Sequence, residues 1–273
     1  MRASDYFKDF SQNLKGHGID EHHALFREIL HSQGFKNTSV LADKTLNSSQ
    51  IKEFHKIITE LNTGKPLQQV LGVSPFYGLD FKVNEHVLIP RPETEELVHL
   101  ILTENSDNQQ MILDLGTGSG CIPISLLFNR TTWKSIAIDK STEAIEIAQS
   151  NTINHRLGDR LELRQEDMLH SFPSLDHIDI LVSNPPYIAN FEKEKMEDKV
   201  LKFEPNMALF TGTDDPLLFY KRIAEEIKNQ NFSGKSYFEI NPIYREELSV
   251  IFDAFQIKFR NDMQKKTRFM LLT

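Results

Sequence analysis

From residue 111 onward, short apolar runs alternate with amphipathic stretches. Runs of β-forming residues predict strands, and apolar positions spaced three and four apart predict helices. The predicted strands cover residues 111–115, 133–138, 160–164, 178–183 and 235–240. The predicted helices cover residues 120–128, 141–155, 216–228 and 243–252. Repeated strand–helix units indicate an α/β fold with a parallel sheet and helices on both faces. Two final runs, at 255–259 and 268–272, have no helix between them and are predicted to pair antiparallel.

The residues before this alternation form two further regions. Residues 1–74 carry two helical patterns, the second with Ser49 as its predicted N-cap, and they predict a small helical N-terminal domain. This domain could be a packing module or a substrate-docking domain. Residues 75–90 hold two β-rich runs on either side of Asn84-Glu85-His86, which predict a β-hairpin linker that turns there. Residues 91–273 then form the α/β domain, which begins with a helix at about residue 93.

A glycine-rich turn follows the first strand of this α/β domain. A strand, a glycine loop and a helix in this order are typical of a nucleotide-cofactor site. The G-x-G-x-G spacing differs from the G-x-G-x-x-G expected for pyrophosphate binding. Asp139 closes the next strand, where an acidic residue commonly accepts hydrogen bonds from ribose hydroxyls. The residues of the turn are Gly116, Thr117, Gly118, Ser119 and Gly120, after Asp114.

A second loop, Asn184-Pro185-Pro186-Tyr187, follows the strand predicted at 178–183. Prolines donate no backbone N–H and hold φ near one value, so the loop presents carbonyl oxygens without competing donors. Asn184 adds one side-chain acceptor and two donors, and Tyr187 adds a flat ring. Together they suit a planar NH2 group. The loop has no strong base, thiol or metal ligand, so the electrophile must come from elsewhere. The glycine turn then indicates S-adenosylmethionine, whose sulfonium methyl needs no enzymatic base.

Composition narrows the possible partners. The 273 residues include 31 basic and 39 acidic side chains, and the net charge of −8 opposes tight sequence-independent binding to nucleic acid. Cys121 is the one cysteine, which excludes an internal disulfide and fits a reducing compartment. The sequence has no signal-peptide pattern and no apolar stretch of membrane-spanning length. The ten histidines show no metal-ligand spacing. We expect a cytoplasmic monomer without a metal.

The chain resembles the HemK/PrmC-type glutamine methyltransferases of peptide-chain release factors over nearly its whole length. Asn-Pro-Pro-Tyr alone is shared with amino-methylating enzymes of DNA and RNA, whereas the segment before the glycine turn is typical of this family. The matching motifs are Pro-Leu-Gln at 66–68, Leu-Gly at 71–72, Phe-Tyr-Gly-Leu at 76–79, Leu-Ile-Pro-Arg-Pro-Glu-Thr-Glu at 88–95, Asp-Leu-Gly-Thr-Gly-Ser-Gly at 114–120, Asn-Pro-Pro-Tyr at 184–187 and Phe-Glu-Pro at 203–205.

The resemblance implies a seven-stranded Rossmann-like methyltransferase core with S-adenosylmethionine as the methyl donor. The implied substrate is the glutamine of the Gly-Gly-Gln loop in a release factor, methylated on its side-chain nitrogen. Residues 116–120, Asp139 and Asn184 would hold the donor, and residues 184–187 would hold the glutamine. Asp167 would accept from the adenine amino group, with Met168 against the ring. The family often has an aromatic residue at the position of Met168, and a polarizable thioether can replace it.

Three other functions compete with this interpretation. The same loop could hold adenine in a nucleic-acid amino-methyltransferase, which would need a basic groove and base stacking on Tyr187. A non-catalytic adaptor that binds S-adenosylmethionine is a second alternative, although Asn184 and Tyr187 are both intact. A dinucleotide oxidoreductase is the third, and the glycine spacing argues against it.

Overall fold

The chain divides into two compact units, Met1–Val73 and Ser74–Thr273. The computed structural model describes residues 2–16, 18–35, 45–195 and 198–273. Each unit has a hydrophobic core made from its own residues. Separate cores are the usual mark of structural domains.

The first unit is helical in the residues described. Aromatic rings form the centre of its core, with the ring of Phe26 5.1 Å from those of Phe10 and Phe54. The third helix begins at an Asn47 cap, not at the predicted Ser49. Asn47 accepts from the N–H of Gln50, and the Gln50 side chain accepts from the N–H of Asn47, a reciprocal capping box that Ser49 could not complete. The helices are α1 (Ala3–Asn13), α2 (Ile19–Ser32), α3 (Ser48–Leu61) and α4 (Leu67–Leu71).

A β-hairpin lies at the start of the second unit, but its turn is not at the predicted residues 84–86. Strands β1 (Val73–Phe76) and β2 (Leu79–Lys82) flank Tyr77 and Gly78, whose φ angles are 49° and 78°. Two positive φ angles in a two-residue loop match the right-handed twist of paired strands. The prediction was wrong because it counted Tyr77 as a strand residue. Asn84 instead accepts from the N–H of His86 in a local turn of the chain beyond β2.

The described part of the second unit contains a seven-stranded sheet, which confirms the predicted fold class. The strand order is β5-β4-β3-β6-β7-β9-β8. Neighbouring strands from β5 to β7 are parallel, while β9 is antiparallel to both β7 and β8, as predicted for the last two runs. The strands are β3 (Met111–Leu115), β4 (Lys134–Asp139), β5 (Leu161–Gln165), β6 (Ile180–Ser183), β7 (Lys235–Glu239), β8 (Ile257–Asn261) and β9 (Thr267–Leu272).

Helices cover both faces of this sheet. Alternate residues of β3 separate into two cores, with Ile112 packed on one face and Leu113 on the other. The first face packs on α5 and α6, and the second packs on α10 and α11. Burial on both sides explains why these strands are apolar runs with little polar alternation. The helices are α5 (Pro92–Glu104), α6 (Cys121–Asn129), α7 (Thr142–Asn154), α8 (Asp198–Phe203), α9 (Asn206–Leu209), α10 (Leu218–Asn229) and α11 (Arg245–Ile251).

Shorter helical segments complete the domain. The 3₁₀ segments are Asn190–Lys195, in the loop after β6, and Pro242–Tyr244, before α11. The Tyr244 hydroxyl donates to Glu192 at 3.2 Å, which joins these two segments. Within the described ranges, every helix falls short of the length and apolar character needed to cross a membrane.

Candidate active site

The candidate site lies at the carboxyl ends of the parallel strands. The strand order reverses between β3 and β6, and ligands of open α/β sheets bind in the crevice at such a point. The glycine turn follows β3, Asp139 ends β4, and Asn184 follows β6. Ser183 donates from its hydroxyl to the carbonyl of Leu115 at 2.7 Å, and this bond joins the ends of β3 and β6.

The glycine turn is tied to the neighbouring strand β4. The N–H groups of Gly116 and Thr117 both donate to the carbonyl of Ile138, at 3.0 and 2.9 Å. Gly116, Gly118 and Gly120 have φ angles of 79°, 55° and 79°, which L-residues with a Cβ rarely adopt. The turn therefore needs glycine at all three positions for its backbone shape.

Asp139 joins the glycine turn to the start of α7. One carboxylate oxygen accepts from the N–H of Gly118 and the other from the N–H of Ser141, both at 2.9 Å. Burial raises the pKa of Asp139 above its usual value, and these N–H groups offset part of the increase. A carboxylate oxygen has two acceptor sites, so each oxygen can still accept from one ribose hydroxyl. Asp139 can therefore bind the backbone at the start of α7 and ribose hydroxyls at the same time.

Polar atoms without partners collect beneath the glycine turn. Asp114 is fully buried, and among the described residues neither of its carboxyl oxygens has a hydrogen-bond partner of good geometry. The hydroxyls of Thr117 and Ser119 are also buried and unpartnered there. Burial raises the pKa of Asp114 to about 7; the nearby Thr117 hydroxyl lowers it and Asp139 raises it. Buried polar groups usually have partners, so these atoms indicate a site that binds a polar ligand.

Asp167 and Met168 follow β5. Asp167 contacts the ammonium of Lys140 and the ring of His170 through one oxygen, both at 2.9 Å, and accepts from the N–H of Leu169 through the other. Although burial acts in the opposite direction, these partners hold the pKa of Asp167 below its usual value. Met168 is buried, and its terminal methyl lies 3.8 Å from the position that a Cβ on Gly116 would take. The thioether therefore packs against the glycine turn.

The side chains of the Asn184–Tyr187 loop have different environments. Asn184 is half-buried and donates from its amide nitrogen to the Thr94 hydroxyl at 3.4 Å. Pro185 is buried, Pro186 is half-buried, and Tyr187 packs against the core of the second sheet face. Burial raises the pKa of Tyr187 to about 12, with Glu239 adding to the shift. The phenol is therefore neutral at physiological pH and is not a base.

One cavity of about 600 Å³ unites most of the predicted site residues. Gly120, Pro185 and Tyr187 lie outside its lining. Gly120 has a packing role, because a Cβ there would lie 3.0 Å from Ile124 and 3.4 Å from Ala148. The predicted residues that do line the cavity are Gly116, Thr117, Gly118, Ser119, Asp139, Asp167, Met168, Asn184 and Pro186.

Several lining residues were not predicted. Arg91 bonds both carboxylate oxygens of the buried Glu204, which ties the segment before α5 to the loop after α8. Lys193 places its ammonium 4.5 Å from the centre of the Phe210 ring. The signal for Arg91 and Thr94 was the motif at 88–95, which supported the family resemblance but was assigned no site residues. Among the described residues no side chain caps α5, and Glu95 of this motif accepts from the N–H of Tyr77 at 2.7 Å.

The polar and apolar groups that line the cavity fit S-adenosylmethionine better than a metal ion. Asp139 can accept from ribose hydroxyls, and Thr117 and Ser119, which line the cavity, carry hydroxyls without a hydrogen-bond partner among the described residues. Met168 offers an apolar surface for a ring. Within the described ranges, no group of three or more His, Cys, Asp or Glu side chains could hold a metal ion.

Comparison with known proteins connects this site to a family. Residues 94–203 match the family model of the methyltransferase small domain. The release factor glutamine methyltransferase of Flavobacterium psychrophilum is 38% identical, over 91% of this chain and 87% of its own. The enzyme of the same name from Bacteroides thetaiotaomicron is 44% identical, over 76% of this chain and 74% of its own.

A solved structure supports the fold. The hMettl16 catalytic domain, in complex with MAT2A 3'UTR hairpin 1, matches with a TM-score of 0.59 over 92% of this chain and 89% of its own. Its sequence identity is 14%, so this likeness shows the fold alone. On the identity and coverage of the two sequence relatives, the chain belongs to the family of release factor glutamine methyltransferases.

Proposed function

We propose that this protein transfers the methyl group of S-adenosylmethionine to the side-chain nitrogen of the Gly-Gly-Gln glutamine in peptide-chain release factors. One observation carries the proposal: Asn184 and the glycine turn line the same cavity. The loop that suits a planar NH2 group therefore lies next to the proposed site of S-adenosylmethionine. The family relationship identifies the NH2 group as that of a glutamine.

The donor site is assigned to residues of the glycine turn and of the strand ends. Asp139 would hold both ribose hydroxyls, and the turn 116–120 would let the backbone approach the ribose and methionine portions. Asp167 would accept from the adenine amino group with Met168 against the ring. When bound, S-adenosylmethionine supplies a methyl group that is already electrophilic.

Asn184 and Pro185 have the role of orienting the glutamine. An amide nitrogen is a poor nucleophile because its lone pair is delocalised into the carbonyl. Asn184 Oδ1 would accept one hydrogen of the glutamine NH2 and the Pro185 carbonyl the other, which aims the nitrogen at the methyl group. Orientation of this kind supplies roughly 7–11 kcal/mol in the best intramolecular cases. The methylated amide is strongly acidic and loses its proton without a dedicated base.

The remaining loop residues support this geometry. Pro186 follows Pro185 and lacks an N–H, so the two prolines place no competing donor beside the Pro185 carbonyl. Tyr187 would pack against the amide plane and exclude water. Its phenol is neutral, whereas its ring packs against the core of the second sheet face and lies outside the cavity lining.

The helical unit Met1–Val73 is proposed to dock the release factor, since a methyl-transfer core needs added surface to select a protein substrate. We propose that the enzyme acts as a monomer in the cytoplasm, where translation takes place. The net charge of −8 disfavours a direct role for nucleic acid.

A labelled methyl-transfer assay tests the proposed function. The protein is incubated with S-adenosylmethionine labelled in its methyl group and with one of three acceptors: the release factor, its Gln→Ala variant, or DNA. We expect label in the unmodified release factor only. Label in DNA would favour the nucleic-acid alternative, and cofactor binding without any transfer would favour the non-catalytic adaptor.

A further inference from the structure

A buried chain of hydrogen bonds lies behind Asn184. The Asn184 amide nitrogen donates to the hydroxyl of Thr94 at 3.4 Å, and that hydroxyl donates to a carboxylate oxygen of Glu239 at 2.7 Å. Thr94 is 4% exposed and Glu239 is 3% exposed. Thr94 is part of the cavity lining, whereas Glu239 lies deeper, at the end of β7. Neither residue has a role in the mechanism proposed above.

The ionised carboxylate fixes the direction of every bond in this chain. A carboxylate accepts only, so the single hydroxyl proton of Thr94 points to Glu239. The Thr94 oxygen is then an acceptor for its other neighbour, and Asn184 must present its NH2 group to it. The opposite end of the Asn184 amide, Oδ1, stays available to a ligand in the cavity.

We infer that Thr94 and Glu239 are positioning residues that hold the Asn184 amide with its oxygen toward the substrate. The inference rests on the proposed function for the identity of that substrate. The reversed amide would place NH2 against the glutamine NH2, donor against donor, and could not orient the nitrogen. An amide on a free rotor would spend part of its time in that unproductive state.

The charged and titratable groups around Glu239 make this arrangement sensitive to pH. Burial raises the pKa of Glu239 to about 7; the Thr94 bond, Arg268 on β9 and Arg91 lower it, and Glu93 raises it. Tyr187 also interacts with the carboxylate, and Tyr220 on α10 donates to the backbone carbonyl of Glu239 at 2.7 Å.

The sign of the pH effect follows from the chain of bonds. Above pH 7 the carboxylate is mostly ionised and the Asn184 orientation is fixed. As the pH falls through about 7, a protonated Glu239 can donate to Thr94, and the Thr94 proton is freed to point at Asn184. The preference for the productive amide is then lost. Turnover should therefore fall toward acidic pH.

Side-chain NMR tests the inference without relying on activity. The full chain is labelled with ¹⁵N, and the Asn184 amide signals are identified by their loss in Asn184→Ala. We expect these signals to shift with a midpoint near pH 7 in the wild type. The shift should persist in Thr94→Ser and disappear in Thr94→Val. Asn184 signals that do not titrate in the wild type, or that titrate equally in Thr94→Val, would overturn the inference.

Turnover measurements supply the second readout. Thr94→Val should lower kcat roughly 10-fold, the value of about one hydrogen bond, and Thr94→Ser should restore most of it. The loss of turnover at acidic pH that Glu239 causes should be absent from the pH profile of Thr94→Val. Asp114 also has a pKa of about 7, and any loss of turnover from its protonation would be the same in the wild type and the variant. Thr103→Val, an exposed position on the same helix, should match the wild type.

The two readouts separate the inference from the proposed function. A wild type that leaves the release factor unmethylated would disprove the function, while the NMR titration would still decide whether Glu239 controls Asn184. An active wild type whose Thr94→Val variant keeps both its kcat and its full loss of turnover at acidic pH would disprove the positioning role alone.

Discussion

At the scale of single residues, Asn184 contacts two different environments. It lines the cavity, and it is also bonded to a hydroxyl that is bonded to a buried carboxylate. The sequence alone could predict that Asn184 lines the cavity, because an asparagine after a parallel strand and before two prolines is exposed to the sheet's crevice. It could not predict the hydrogen bonds behind Asn184, since Thr94 and Glu239 are 145 positions apart and their contact depends on how α5 packs near β7.

Asn184→Ala tests the orienting role directly. Asn184 would make only one of the contacts to the donor, and the variant keeps the glycine turn and Asp139, so its affinity for S-adenosylmethionine should change little. Turnover of the release factor should fall about 100-fold or more, as expected when a reacting group is misplaced by an ångström. Calorimetric titration and a labelled transfer assay measure the two quantities. Undiminished turnover would remove Asn184 from the mechanism.

Asp139→Asn tests the ribose role. Replacing the charged acceptor should weaken S-adenosylmethionine binding roughly 10-fold or more, the value of a hydrogen bond to a charged group. Asp159→Asn is the matched control, because Asp159 is an exposed carboxylate just before β5, at the opposite end of the strands. Equal affinities for both variants, with intact folding by circular dichroism, would mean that Asp139 only joins the glycine turn to α7.

At the scale of elements, local chemistry decided which predictions succeeded. The boundaries of β3 were predicted to the residue because an apolar run met a glycine turn. The hairpin was misplaced because Tyr77 has a φ of 49°, a conformation that a tyrosine takes only when the surrounding structure requires it. The cap of α3 was missed because Asn47 and Ser49 are both good N-cap residues, and the partner Gln50 decides between them.

The glycine turn and α6 meet at Gly120, where a substitution should be costly. Gly120→Ala introduces a side chain at a φ of 79° and places its Cβ 3.0 Å from Ile124. We expect the free energy of unfolding to fall by about 1–2 kcal/mol. Gly158→Ala is the control, because that Cβ has no neighbour within 4 Å among the described residues and the backbone there does not require glycine. Urea denaturation of both variants checks the difference, and equal stabilities would contradict this account of the turn.

At the scale of the whole molecule, the proposed donor and acceptor sites belong to one unit. Every residue that lines the cavity lies within Ser74–Thr273, while Met1–Val73 has its own aromatic core. The helical character of the first unit follows from its apolar spacing. Its role does not, because docking depends on a surface matched to a partner whose shape the sequence of this chain does not contain.

A fragment of residues 74–273 separates the two activities. It should bind S-adenosylmethionine with nearly the affinity of the full chain, because the complete cavity lining is present. Its KM for the release factor should rise, since the proposed docking unit is missing. Calorimetric titration and steady-state kinetics give the two values. A fragment that unfolds cooperatively and keeps the full chain's KM would assign Met1–Val73 to packing alone.

The most direct test of the central claim is mass spectrometry of a release factor after incubation with this protein and S-adenosylmethionine. The proposed function predicts one added methyl group on the peptide that contains Gly-Gly-Gln, with fragment ions that place it on the side-chain nitrogen of the glutamine. An unmodified peptide, or a methyl group on any other residue of the release factor, would contradict it.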